Sequence, residues 1–456
     1  MIPRYIRPEM GSLWTDLRKI ETWTSIELAI LDAQVDLGLM DREIPRLIRE
    51  HYRLDVERWY RIEDLVAHDV NAYVQMIHES LVGTPAESYR GEIHKLVTSF
   101  DIVDNAQFIL MRQALRLVRD QLQNLLDSLR AQAIRHRTSL QMARSHRRYA
   151  QPSTFGHYML VFYAMVERAL CRLNKLYDTE LGEGKISGAI GTYTSISPEI
   201  ERLALEAMCL RPAKAETQIL QRDRHAMVLS ALAATAASMQ QMALTLHTWC
   251  GSEIDEVMEP KKPRDKGSSA MPHKVNPILL EQLIGLPSVI FGYLQAQLSV
   301  VATPESRDIR QSGVERIIIP DAFTLLHYIV YRMNNVVKGM TVKTDVMARR
   351  VNVDSLGVWA TQQVKTALID AGIDPELAYR HAQSCAFEAV AKGMHMSEIL
   401  SWMTIGQGSR TAVDLVGREK IASFFDAVAY AMPGIDAVYA NFAHDFAHEE
   451  EPPPQR

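Results

Sequence analysis

Residues 267–277 read GSSAMPHKVNP, which gathers two hydroxyls, a lysine and a side-chain amide into one short polar run. Gly267, Ser268 and Ser269 disfavour a helix interior, and Pro272 and Pro277 each suit a helix start better than its middle. Residues 259–276 therefore read as a mobile loop leading into a helix that begins near Pro277. A loop carrying hydroxyls, Lys274 and Asn276 beside a helix N-terminus is a natural place to hold an anion. It is also a place to generate one, because Lys274 and the positive helix end both favour a deprotonated serine. The same residues equally describe a polar surface loop with capping serines, and spacing alone leaves both readings open.

The elements that must position this loop are long helices. From Asp101 to Gln151 there is neither Gly nor Pro, and Met111, Leu115, Val118, Leu122, Leu125 and Leu129 recur at alternating four- and three-residue steps. That is the apolar seam of a long helix packed in a bundle. Uninterrupted stretches at 223–258, 277–302 and 320–339 add further long helices, and shorter ones are expected at 354–371 and 375–392. Three helical domains follow: an N-terminal one over 1–95, a central long-helix bundle over 96–342 carrying the 259–277 loop, and a C-terminal one over 343–456. The last ends in HEEEPPPQR, an acidic and Pro-rich stretch expected to be a disordered tail.

Composition narrows the function classes. The chain has 456 residues, 47% hydrophobic and 23% charged, with a net charge of -5, so nothing draws it electrostatically to nucleic acid or an anionic membrane. Cys171, Cys209, Cys250 and Cys385 lie far apart with no C-x-x-C pair, which fits a reducing cytoplasm and points to neither a disulfide framework nor a zinc knuckle. The N-terminus MIPRYIRPEM lacks the apolar core of a signal peptide. The weakly polar run 227–246 contains Gln240 and Gln241 and reads as a buried bundle helix rather than a membrane span. With no ligand-spaced metal cluster and no phosphate-binding glycine loop of the G-x-x-x-x-G-K-[ST] kind, cofactor-free and metal-free chemistry is expected.

The ordered string S-S-x-M-P-x-K-x-N-P over 268–277 resembles the signature of the fumarase/aspartase superfamily, whose members eliminate fumarate from succinyl compounds. Within it, MIPRYIRPEM at 1–10, VAHDVNAYV at 66–74, TSFDIVDNA at 98–106, GKISGAIGTY at 184–193, TQILQRDRHA at 217–226 and RDIRQSGVERIIIPDA at 307–322 resemble the blocks of the adenylosuccinate lyase family. The resemblance spans nearly the whole chain. It implies an all-α fold whose central bundles combine into a twenty-helix core in a homotetramer, with each active site shared among three chains. It also implies a cytoplasmic enzyme of purine biosynthesis that acts on a small succinyl-nucleotide and works without nucleic acid or membrane partners.

By the same resemblance, Ser268 is the base that removes the proton next to a carboxylate, and Lys274 and Asn276 hold the carboxylate whose charge grows in the transition state. His146 is the general acid to the leaving nitrogen, His68 a second histidine beside it, and Glu281 a carboxylate that orients a histidine. Arg4, Tyr5, Arg307, Ser312 and Arg316 surround the substrate phosphate, a natural use of guanidiniums and a hydroxyl. Thr98, Ser99 and Gln218 contact the succinyl and base moieties, with Asp69, Ser269 and Met271 as further substrate contacts.

The sequence also departs from the family form. The usual T-H-G at the acid histidine is Ser145-His146-Arg147 here, followed by Arg148 and Tyr149, and Phe100 and Asn105 are unusual within their block. Arg147 either points inward, narrowing the nucleotide pocket, or points to solvent and changes little. Arg147 and Arg148 favour a relative that performs the same elimination on another succinyl compound, whereas Arg4, Tyr5, Arg307 and Arg316 favour adenylosuccinate. A catalytically silent helical scaffold is a third reading, which the complete Ser268, Lys274, Asn276 and His146 set opposes.

Overall fold

The computed structural model describes residues 1–261 and 268–446. The fold is all-α, with three two-stranded ribbons as its only sheet among the described residues. We label the helices that matter below α1 (Asp16–Asp36), α2 (Val56–Val66), α3 (Asp69–Ser80), α4 (Ser99–Arg135), α5 (Phe155–Asp178), α6 (Asp223–Cys250), α7 (Ile278–Gly285), α8 (Pro287–Ser299) and α9 (Arg310–Gly339).

The heptad-like seam is buried as expected: Met111, Leu115, Val118, Leu122, Leu125 and Leu129 are all inaccessible on α4. Yet α4 ends at Arg135, and Leu140–Ser145 (β1) pairs antiparallel with Arg148–Thr154 (β2). The Gly- and Pro-free stretch therefore misreads as one helix. The physical reason lies at the hairpin turn, where His146 and Arg147 themselves adopt φ of 50° and 64°, the conformation a glycine normally supplies. Other boundaries shift similarly. Helix α6 stops at Cys250 rather than 258, Pro287 splits the 277–302 stretch at the start of α8, and α9 begins at Arg310 with Pro320 inside it. The segment expected as a helix from 354 is α-helical only over Thr361–Asp370, preceded by a 3-10 turn at Val358–Ala360, because Gly357 at φ 71° breaks the chain's course, whereas Pro375–Lys392 forms as expected.

The chain divides into two compact units. The first comprises residues 1–125, 166–243 and 281–334. Its N-terminal core is built around Trp23, which meets Trp59 and Tyr73 edge-on at 5.7 and 5.4 Å. Such pairs add to the burial of their large apolar faces. The second comprises residues 126–165, 244–280 and 335–456. Its cores gather Met142, Val351 and Trp359 in one cluster and Val364, Leu368, Cys385 and Leu400 in another.

Helices α6 and Ile278–Ser299 (α7 with α8) are each long and apolar enough to cross a membrane by length and composition. In α6, 56% of that apolar stretch is buried in the fold, as a bundle helix requires; in α7–α8 only 22% is.

Candidate active site

In the first unit, α1, α2, the N-termini of α3 and α4, and the start of α9 enclose a cavity of about 370 Å³. Its construction begins between α2 and α3. Helix α2 ends in a left-handed residue, Ala67, and His68 immediately caps α3, its Nδ1 accepting the Asn71 N–H at 3.2 Å. That bond fixes the tautomer, leaving Nε2 of the half-exposed imidazole as the proton-bearing nitrogen. Trp59 Nε1 donates to the Asp69 carbonyl at 2.9 Å, tying this turn to the aromatic core. Asp69 then faces the cavity and pairs with Arg316 at 2.5 Å.

The opposite wall is held by buried charge. Asp104 on α4 takes both Arg222 terminal nitrogens at 2.8 Å and also accepts the Leu220 N–H at 2.8 Å. Arg222 Nε lies 3.2 Å from Glu315 on α9, which also accepts from Gln297 Nε2. Two carboxylates thus share one guanidinium in a place without water access, and burial, with Asp104 adding to it, pushes the Glu315 carboxyl up to about 7 against the pull of Arg222. A second network locks the neighbouring block: Lys185 Nζ meets Asp101 at 2.5 Å, and Asn105 donates to the Lys185 and Asp101 carbonyls at 2.7 Å each. Asp101 also accepts the Thr98 N–H at 2.9 Å, which sets the start of α4.

Arg307 lies over the buried Phe100 ring at 3.8 Å and donates to Gln218 Oε1 at 2.9 Å. Burial lowers its pKa, and Arg222 and Arg316 press in the same direction. Lys19 sits over the Trp59 and Trp23 rings at 4.8 and 5.1 Å. Its pKa is also lowered, by burial first and by Arg316 next, with Asp69, Asp16 and Glu63 opposing.

Of the residues read from sequence, Asp69, Ser312 and Arg316 line this cavity, Arg307 and Gln218 join it through Phe100, and His68, Thr98 and Ser99 adjoin its lining in the chain. Arg4 is exposed and Tyr5 packs on Tyr328 at 5.1 Å; neither lines the cavity. Glu281 is exposed in the first turn of α7. Sequence reasoning assigned no role to Lys19, Asp104, Arg222 or Glu315. The signal available for Asp104 was a carboxylate placed three residues after Asp101 within an apolar helical run.

The second unit carries the remaining candidates. Gly267 lies outside the described residues. Residues 268–274 curl into a turn: Ser268 Oγ accepts the Met271 N–H at 3.2 Å, the Ser268 N–H reaches the Lys274 carbonyl at 3.3 Å, and the Lys274 N–H reaches the Met271 carbonyl at 2.9 Å. Ser268 and Asn276 are half-buried, whereas Ser269, Met271 and Lys274 are exposed. The free amides opening α7 are not left for a ligand, since the buried Glu259 carboxylate accepts the Leu279 and Leu280 N–H groups at 3.1 and 2.5 Å. The anion expected at this helix start is therefore the chain's own. His146 is exposed at the hairpin turn, and the exposed Arg147 borders a second cavity together with Tyr149, Tyr158, Trp249 and Arg350. Among the described residues no three or more His, Cys, Asp and Glu side chains cluster as a metal site.

Residues 48–292 match the family described as "Lyase". The chain is 36% identical over 439 residues to the adenylosuccinate lyase of Bacillus subtilis, covering 96% of this chain and 99% of that one. It is 33% identical over 442 residues to the adenylosuccinate lyase of Thermotoga maritima, covering 97% and 99%. Among solved structures it superposes on a fumarate lyase from Mesorhizobium sp. BNC1 with a TM-score of 0.84 at 21% identity, covering 96% of this chain and 99% of the other. It also superposes on the 3-carboxy-cis,cis-muconate lactonizing enzyme from Pseudomonas putida with a TM-score of 0.83 at 22% identity, covering 97% of each.

Proposed function

This chain belongs to the lyase family matched over residues 48–292, and we propose that within it the chain is an adenylosuccinate lyase. The reaction is a cofactor-free β-elimination in purine biosynthesis that releases fumarate from adenylosuccinate to give AMP, and from the succinylated imidazole carboxamide ribotide (SAICAR) to give AICAR. The observation that carries this reading is full-length identity of 36% to a curated adenylosuccinate lyase. The intact Ser268, Lys274 and Asn276 signature adds to it.

In this mechanism Ser268 Oγ takes the proton from the succinyl carbon next to a carboxylate. The electron pair moves into that carboxylate, where Lys274 and Asn276 stabilise the added charge. The pair then returns to form the carbon–carbon double bond of fumarate as the carbon–nitrogen bond breaks, and His146 delivers a proton to the departing nitrogen, with His68 Nε2 beside it. Glu281 orients a histidine, Thr98, Ser99 and Gln218 hold the succinyl and base moieties, and Ser269 and Met271 are further substrate contacts. Arg307, Arg316 and Ser312, with Arg4 and Tyr5, anchor the phosphate, and Asp69 is a further substrate contact.

The three-domain division at 95 and 342 belongs to the same reading, as does a cytoplasmic homotetramer in which each active site draws residues from three chains. The exposed apolar length of α7–α8, which one chain leaves largely uncovered, supports such an assembly. The test is fumarate release from the purified protein given adenylosuccinate, alongside Ser268→Ala and a panel of other N-succinyl compounds. Release from adenylosuccinate that falls by about 10²–10⁴-fold in the variant is the expected result. Turnover of another succinyl compound in place of adenylosuccinate would overturn the substrate assignment, and silence across the panel would overturn the activity.

A further inference from the structure

Most arginines around the cavity have an acidic partner. Arg222 is held by Asp104 and Glu315, and Arg316 by Asp69. Arg307 differs. Among the described residues it makes no ion pair within 4 Å, its single hydrogen bond goes to the neutral Gln218, and the two carboxylates that favour its charge, Asp104 and Asp69, are already engaged by the other two arginines. What lies against the guanidinium is the face of Phe100, at 3.8 Å. Arg222 shares the same ring more distantly, at 5.7 Å.

An aromatic face and a carboxylate do different things to a cation. The ring quadrupole attracts a guanidinium and fixes its position, but contributes no net negative charge. A carboxylate would neutralise the group and occupy its forked donors. Arg307 over Phe100 is therefore held in place with its charge and most of its donors uncommitted, next to Arg316 and Arg222, which raise the local positive potential. Lys19 also rests on aromatic rings without an ion pair among the described residues, but the carboxylates that favour its charge include Asp16 and Glu63, which no arginine holds among the described residues. Arg307, which adjoins the cavity through Phe100, is favoured only by carboxylates that other arginines already hold.

We propose that Phe100 is a positioning residue that presents Arg307 to the phosphate of the substrate. This rests on the adenylosuccinate reading for the identity of the anion, and it gives a task to a residue that departs from the family form. The aromatic ring follows directly after Ser99 at the start of α4, where the Asp101 and Lys185 network fixes the backbone, so its plane is set by the fold before any ligand arrives. A phosphate dianion then supplies the missing counter-charge, and the ring keeps the guanidinium from folding onto Asp104 or Asp69.

The test compares Phe100→Leu, which keeps the apolar bulk but loses the ring, with Phe100→Tyr, which keeps the ring. Steady-state kinetics on adenylosuccinate are read beside calorimetric affinities for AMP and for inorganic phosphate, with thermal melts as a folding control and Phe100→Met repeating the comparison should the leucine variant not fold. The expected result for the ring-less variant is KM and the AMP dissociation constant raised about tenfold with kcat within about twofold, and both restored in Phe100→Tyr. Unchanged affinities in Phe100→Leu, an equal loss in Leu and Tyr variants, or a fall confined to kcat would each overturn the proposal. If the native protein does not turn over adenylosuccinate but still binds AMP or phosphate, and only the ring-less variant weakens that binding, the activity reading fails and the role of Phe100 stands. If the native protein binds neither AMP nor phosphate, the proposal falls on its own.

Discussion

The cavity wall of the first unit and the signature loop of the second are built on opposite principles. Around the cavity, Asp104, Arg222, Glu315, Asp101, Lys185 and Asn105 are all nearly inaccessible, and each is tied to partners on other segments. The loop at 268–276 has backbone turns and one hydroxyl contact, with Lys274 exposed. The difference separates two tasks. Anchoring a charged substrate gains from rigid, pre-paired groups, because ordering them on binding would oppose affinity. Groups that act only at the transition state can wait in an open loop and be assembled by closure.

The sharpest way to break this contrast is to exchange the expected phenotypes. Asp104→Ala should destabilise the fold by about 3–5 kcal/mol, since it strands Arg222 beside Glu315 in the interior. Ser268→Ala should leave the unfolding midpoint nearly unchanged while it removes turnover, because the bond it loses is a single turn contact. Urea midpoints at one fixed protein concentration, read beside fumarate release, check both. A stable Asp104 variant, or a Ser268 variant that unfolds early, would erase the distinction between the two regions.

A smaller effect comes from Glu315. Its carboxyl is raised by burial to about 7 from an ordinary value of 4.5, so the folded protein holds a proton that the unfolded chain has already released across that interval. The sign follows: this group's contribution to stability is full below pH 4.5 and is lost as pH rises towards about 7. The total is about 3 kcal/mol for a shift of this size. Glu315→Gln, which cannot ionise, should flatten that slope, as measured by the denaturation midpoint from pH 4.5 to 8. An unaltered slope in the variant would place the titration elsewhere. This sharpens the comparison, because residues 268–276 carry no acidic side chain.

How far the sequence foretold these two regions differs in the same way. The α4 seam was legible because each apolar residue announces its face by spacing, and Met111 through Leu129 are all buried. The loop was legible because Gly, Ser and Pro report local backbone preference directly. The cavity wall was only partly so. Asp104 and Arg222 stand 118 residues apart, and nothing local marks either as the other's partner. The assignment of a phosphate site to Arg307 came from a matched motif, whereas its stacking on Phe100 depends on two distant segments converging. The hairpin was missed for a local reason, since punctuation by Gly and Pro is informative only where the chain uses them.

That hairpin yields the smallest and most specific prediction. Arg147 holds φ 64° at a two-residue turn between β1 and β2, with His146 before it at φ 50°. A left-handed conformation costs a residue with a Cβ about 1–2 kcal/mol, and glycine avoids that at some expense in unfolded-state entropy. Arg147→Gly should therefore raise the unfolding free energy by a net amount of about 0.5–1 kcal/mol, read as a higher urea midpoint. The Arg147 side chain is exposed at the rim of the cavity bordered by Tyr149, Trp249 and Arg350. Stabilisation with an unchanged KM for adenylosuccinate would assign the arginine no part in recognising that substrate. Stabilisation with a raised KM would make Arg147 a second uncommitted cation, on the open side of the comparison rather than the rigid one.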